Sequence, residues 1–153
     1  MVKIFVRDRS SNVSSANWRI ARTTVASILA FADGVSGDVQ ELCEALYEST
    51  PDGGEVDAGN FAAAFDIVFS RELRGYEDIV ERLTPQQFKV LKALAQNGLV
   101  KAFSADFTGK VGLLPSSVKR VITRLQDDRI IFLRKGGYHF FNPFFREWLR
   151  QRI

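Results

Sequence analysis

Two short β-prone runs, Ile130-Ile131-Phe132-Leu133 and Tyr138-His139-Phe140-Phe141, flank Arg134-Lys135-Gly136-Gly137. Apolar runs around a Gly-Gly turn form a hairpin. This pair constrains the chain most, because the segments around it read as helices. Thr84-Pro85-Gln86-Gln87 is a helix start: Thr84 is the N-cap, Pro85 the first position and Gln87 the capping-box partner. Phe88, Leu91, Leu94 and Ala95 form its apolar stripe, and Asn97-Gly98 ends it. Ser104 is expected to cap a short helix that Gly109 ends. Leu113-Leu114-Pro115 leads to Ser116, expected to cap a helix reaching about Asp128. After the hairpin, Asn142-Pro143 caps and opens a last helix with Phe145, Trp148 and Leu149 inward.

Helix, short helix, turn, helix, hairpin is the order of a winged helix-turn-helix, assigned to residues 84–153. Between Ser116 and Asp128 the apolar residues are Val118, Val121, Ile122 and Leu125, at i, i+3, i+4 and i+7. The opposite face centres on Ser116, Arg120 and Thr123, flanked by Lys119 and Arg124. A helix-turn-helix presents this face to the major groove of double-stranded DNA. In that reading Lys119, Arg120 and Arg124 neutralise phosphates, while Ser116 and Thr123 meet backbone or bases. Arg134 and Lys135, at the hairpin tip, reach an adjacent phosphate or the minor groove. The plainer alternative is a solvated face. Asp127 shares it, and Asp127-Asp128 repel phosphate and oppose the helix dipole. DNA, a protein partner and no direct ligand all stay open on these residues.

The preceding residues, 1–83, are expected to form a separate helical unit. Ser10, Ser11, Asn12, Ser14 and Ser15 favour a loop or frayed end. Ile20, Val25, Ile28, Leu29 and Ala32 recur at helical spacing, with Thr23 or Thr24 as cap and Asp33-Gly34 as stop. A helix from about Gly37 to Glu48 turns Val39, Leu42, Cys43, Leu46 and Tyr47 inward. After the Pro51-Asp52-Gly53-Gly54 turn, a third helix starts near Asp57 and carries Phe61, Phe65, Val68, Phe69 and Leu73. Gly75 is expected to break it, leaving Tyr76 to Leu83 as a short fourth helix. The charge divides with these units. Residues 1–83 hold eight Lys/Arg against fourteen Asp/Glu, whereas residues 84–153 hold thirteen against four. A basic unit suits a polyanion.

Several functions are disfavoured. One cysteine permits no intrachain disulfide, and one Cys with one His builds no ordinary zinc site. Cys43 reads as a small buried hydrophobe. A Ser-His-Asp hydrolase would depend on His139, and no nucleophile elbow accompanies it. Alternation puts His139 on the strand face opposite Tyr138 and Phe140. The cluster Phe140, Phe141, Phe144, Phe145, Trp148 resembles a stacking platform but fits core packing better. Gly109-Lys110 lacks the earlier glycine and following Ser/Thr of a phosphate loop, with Ser104 and Val111 in those places. Neither a membrane span nor a signal peptide is evident, so a cytoplasmic protein without a membrane partner is expected.

The stretch from Tyr138 to Leu149 resembles a C-terminal signature of prokaryotic AAA+/STAND-type ATPases: aromatic-x-Phe-x-Asn-Pro, two bulky residues, then Trp-Leu. Leu83-Thr84-Pro85-Gln86-Gln87 through Ala95 is similar to the opening of their winged helix, and Gly34 to Tyr47 to their helical lid. Ser36 and Gly37 stand where that family often has Pro-Arg, so no nucleotide-sensing arginine is expected there. The resemblance implies a mainly α chain: an ATPase-lid-like helical bundle over 1–83, then a winged helix-turn-helix with a small β-hairpin wing. It also implies a C-terminal fragment, since Walker motifs are absent. Such a module is not an enzyme by itself and takes no cofactor, ATP and Mg entering only with the missing ATPase core. Its partners would be double-stranded DNA, the ATPase core or another protein. The alternatives are an autoinhibitory or protein-binding winged helix of a signalling ATPase, and a stand-alone dimeric transcription regulator.

Overall fold

The computed structural model describes residues 20–33, 35–51, 54–97, 102–134 and 136–152. Among these the chain is mainly helical, with one small antiparallel hairpin. The order is α1 (Arg22–Phe31), α2 (Ser36–Ser49), α3 (Ala58–Glu81), α4 (Pro85–Asn97), α5 (Ala105–Val111), α6 (Pro115–Asp127), β1 (Ile131–Arg134), β2 (Gly137–Phe140) and α7 (Pro143–Arg152). The chain forms two compact units, dividing after Glu72. The charge changes sign further on, at Leu83-Thr84. The Ser-rich stretch before Ile20 and residues Gly34, Asp52, Gly53 and Gly98 lie outside the described residues.

In the first unit, Ile28 and Ala32 of the α1 region, Leu42, Cys43, Ala45 and Leu46 of α2, and Ala64, Val68 and Phe69 of α3 are buried. Phe31 meets Phe65 edge-on at 5.0 Å. Ala21, not Thr23 or Thr24, is the N-cap of α1, and it supplies no side-chain bond. Both threonines lie inside the helix, because helical geometry already begins at Arg22. Asp57 and Asn60 cap α3 reciprocally: each backbone N–H donates to the other's side-chain oxygen, at 2.9 and 3.0 Å. Asn60 Nδ2 also donates to the Ser49 carbonyl, tying the end of α2 to the start of α3. Burial raises the Cys43 thiol pKa, in keeping with an inert core thiol.

Gly75 does not break α3, which runs unbroken through Glu81. Its φ is not positive, so the residue takes helical geometry like its neighbours. A helical glycine costs about 1 kcal/mol against alanine. Burial of Tyr76, whose ring lies 5.3 Å from Phe145 and 5.5 Å from Trp148, offsets that cost. Leu73 is 40% exposed and does not join the inward stripe expected for it.

The second unit is built on local caps that the sequence spells out. Thr84 N donates to Gln87 Oε1 at 2.8 Å, and Gln87 N donates back to Thr84 Oγ1 at 3.3 Å. Phe107 N donates to Ser104 Oγ, and Phe145 N to Asn142 Oδ1 at 2.9 Å. Gly109 is internal to α5, which ends at Val111 with Gly112 as its left-handed cap, φ 61°. Ser116 is not a cap either. Pro115 already occupies the first position of α6, which makes Leu114 the N-cap. The hairpin register pairs Ile131 with Phe140, Phe132 with His139, Leu133 with Tyr138 and Arg134 with Gly137. Ile131 and Phe140 are buried on its inner face. On the other face Phe132 stacks on His139 at 5.6 Å and meets Phe141 at 4.8 Å. Phe141 is therefore 53% exposed on the wing and stands apart from the core cluster of Phe140, Phe144, Phe145 and Trp148.

Two measurements check this account. Gly75→Ala raises stability by about 0.5–1 kcal/mol in urea denaturation, and a loss indicates a helix break. Glu41 has a raised pKa, first through burial and then through repulsion from Glu72 and Asp38, with Arg71 opposing. A carboxyl whose folded pKa lies above its unfolded one costs stability as pH rises through the folded value. Glu41→Gln therefore raises the melting temperature at pH 7, and the gain shrinks as pH falls into the carboxylate range.

Candidate nucleic-acid interface

α6 divides its residues between two faces. Val118, Val121, Ile122 and Leu125 are buried. Ser116, Lys119, Arg120, Thr123, Arg124 and Asp127 are exposed and line one open depression along the helix. The arrangement follows from helical geometry: once the apolar stripe is buried, the opposite residues point to solvent. Arg134 stands exposed at the end of β1, opposite Gly137, and does not line that depression. Lys135 lies outside the described residues.

The exposed face carries the cations Lys119, Arg120 and Arg124 against the carboxylate of Asp127. Arg124 Nε lies 3.0 Å from Asp128 Oδ2, one helical turn on. An exposed i,i+4 pair contributes only about 0.3–0.5 kcal/mol, so a phosphate can take the place of Asp128. The Thr123 hydroxyl donates to the Lys119 carbonyl at 3.1 Å. Its proton is thereby used within the helix, and its oxygen keeps only acceptor capacity. Leu114 gives α6 no side-chain cap, so N–H groups of the first turn remain donors for an anion near Ser116.

A family model described as "Probable winged helix domain" matches residues 74–151. The chain belongs to this winged-helix family. The match begins inside α3, near the division between the compact units. No curated protein and no solved structure matches the chain. Winged-helix domains commonly bind DNA or proteins.

One residue of the winged helix escaped sequence reasoning. Arg129 joins α6 to the wing with φ 53°, a left-handed conformation. Its N–H donates to the Gln126 carbonyl, and Ile130 N donates to the Leu125 carbonyl at 2.9 Å, which closes the end of α6. An L side chain held there costs about 1–2 kcal/mol relative to glycine. A glycine after the helix would have marked the position, and its absence hid the turn. Arg129 is exposed. His139, by contrast, is half-buried and stacked on Phe132, on the strand face that alternation assigned to it. Among the described residues no group of His, Cys, Asp and Glu is arranged to hold a metal. Nor is any helix of the described residues long and apolar enough to cross a membrane.

Arg129→Gly is expected to raise unfolding stability by about 1 kcal/mol, measured by urea denaturation. A loss of stability shows that the side chain contributes more than its backbone strain costs.

Proposed function

We propose that the winged helix binds double-stranded DNA through the exposed face of α6, as the non-catalytic C-terminal module of an AAA+/STAND-type ATPase. The observation that carries the DNA reading is the division of α6. Its apolar residues are all spent on the core, and Lys119, Arg120 and Arg124 line one open surface with Ser116 and Thr123. In this reading the three cations neutralise phosphates, Arg124 exchanging Asp128 for the backbone. Ser116 and the first-turn amides meet a phosphate or base edge, and Thr123 accepts a hydrogen bond from a base or sugar. Arg134 and Lys135 extend the contact along the adjacent strand. Asp127 disfavours close approach at the far end of the helix, which tilts α6 so that its N-terminal part lies deepest. ATP and Mg belong to the ATPase core, and this chain performs no catalytic step of its own.

The ATPase half of the reading is supported by the run from Tyr138 to Leu149, with its Asn-Pro helix opening and Trp-Leu ending. The segment from Gly34 to Tyr47 would then be part of the helical lid. A phosphate loop encoded in frame upstream upholds it; an upstream stop codon with no adjacent ATPase gene removes it. A protein ligand is the second reading. It is favoured by the exposure of Leu133 (62%) and Phe141 (53%), which makes the wing apolar where a phosphate-reading wing is polar.

Duplex binding followed by fluorescence anisotropy across a salt series tests the DNA reading. About five phosphate contacts give a log–log slope near −4 to −5. Arg120→Ala with Arg124→Ala is expected to weaken binding and flatten the slope by about 2. Asp127→Asn is expected to strengthen it. An absence of binding at about 50 mM salt, or a slope unchanged by the double variant, would falsify the reading.

A further inference from the structure

A second basic surface lies between α4 and α5 and shares no residue with the α6 face. Lys89 and Lys92 of α4 and Lys110 of α5 line an open groove floored by Phe88 and Ala93. None of the described residues lining it is acidic. Lys89 and Lys110 are each placed at the groove by a local contact. The Lys89 ammonium lies over the C-terminal end of α5, 3.4 Å from where a Cβ on Gly112 would stand. Lys110 Nζ donates to Asn97 Oδ1 at 3.3 Å, and Asn97 Nδ2 donates to the Ala93 carbonyl at 2.7 Å. Asn97 thus fixes the amine at the groove without neutralising it. Lys92, half-buried, lines the same groove one turn along α4 from Lys89.

Lys110 also lies 3.3 Å from Asp106 Oδ2. Both side chains are more than half exposed, at 53% and 78%, so water screens the pair and an arriving anion can replace it. Like charges placed one turn apart on a helix repel. Lys89 and Lys92 stand one turn apart, and the other described residues lining the groove, Lys110 aside, are neutral. Such a site favours an anion with its charge spread along an extended backbone, and lysine is suited to phosphate as a point charge.

We propose that this groove is a second phosphate-binding surface, which holds the phosphodiester backbone of the same duplex outside the stretch read by α6. The inference rests on the DNA reading of α6, and it enlarges the footprint of the module beyond one helix and a wing. Base edges play no part in it, so its contribution is the same for every DNA sequence.

The test is duplex binding by the full chain over a salt series, comparing Lys89→Gln/Lys92→Gln/Lys110→Gln with the Arg120→Ala/Arg124→Ala variant. Loss of three phosphate contacts flattens the log–log salt slope by about 2 to 3, equally for unrelated duplex sequences. The double variant Lys89→Gln/Lys110→Gln leaves half-buried Lys92 in place and is expected to flatten it by about 2. Circular dichroism establishes that each variant is folded. If both lysine variants keep the wild-type slope while the α6 variant loses affinity, the groove proposal falls and the α6 reading stands. If the lysine variants lose affinity and the α6 variant does not, the α6 reading falls, and the proposal of a second surface on a duplex read by α6 falls with it. No duplex binding by the wild type at about 50 mM salt overturns both.

Discussion

Burial of one face of α4 is the constraint on which the rest of the second unit depends. Val90, Leu91, Leu94 and Ala95 are all buried, and α5, α6 and α7 pack on this one helix. The start of α4 is fixed by the reciprocal bonds of Thr84 and Gln87, which set where its stripe begins and thus which way it faces. Once that direction is set, the apolar stripe of α6 has one place to go, and its cationic residues are turned outward. The lysines of α4 follow from the same rotation, because they occupy the side of the helix left over from packing. Both candidate surfaces are by-products of one buried stripe.

Much of this was legible in the sequence because the signals are local. A cap is a side chain bonding to a backbone three residues on, so Thr84, Ser104 and Asn142 declare themselves. The two strands of the wing are equally plain, and alternation alone puts His139 on the face opposite Tyr138 and Phe140, while its pairing with Phe132 comes from the register. The failures are also instructive. Gly75 looked like a stop because glycine weakens a helix, but the burial of Tyr76 outweighs about 1 kcal/mol of propensity. Ser116 looked like a cap because serine caps well, but Pro115 had already started the helix. Phe141 looked like part of the core because its neighbours are, but it follows β2 on the outer face of the wing.

Features that depend on two elements at once were not legible. The lysine groove needs α4 and α5 side by side, and no spacing in the sequence brings Lys110 to Asn97. The left-handed turn at Arg129 was hidden for another reason. The residue gives no hint of it, and only the bonds closing the end of α6 impose it. The exposed face of α6 falls between these cases. Its composition followed from periodicity, while the pairing of Arg124 with Asp128 emerged only from the folded helix.

The separation of α6 into two faces has an evolutionary consequence. Ser116, Lys119, Arg120 and Thr123 are exposed, so mutations there leave folding almost untouched while, in the proposed reading, altering what the helix meets. Mutations at Val118, Ile122 or Leu125 do the reverse. Selection can therefore act on the ligand and on the fold through different codons. A lineage can drift towards a new partner one surface residue at a time, without passing through an unfolded intermediate.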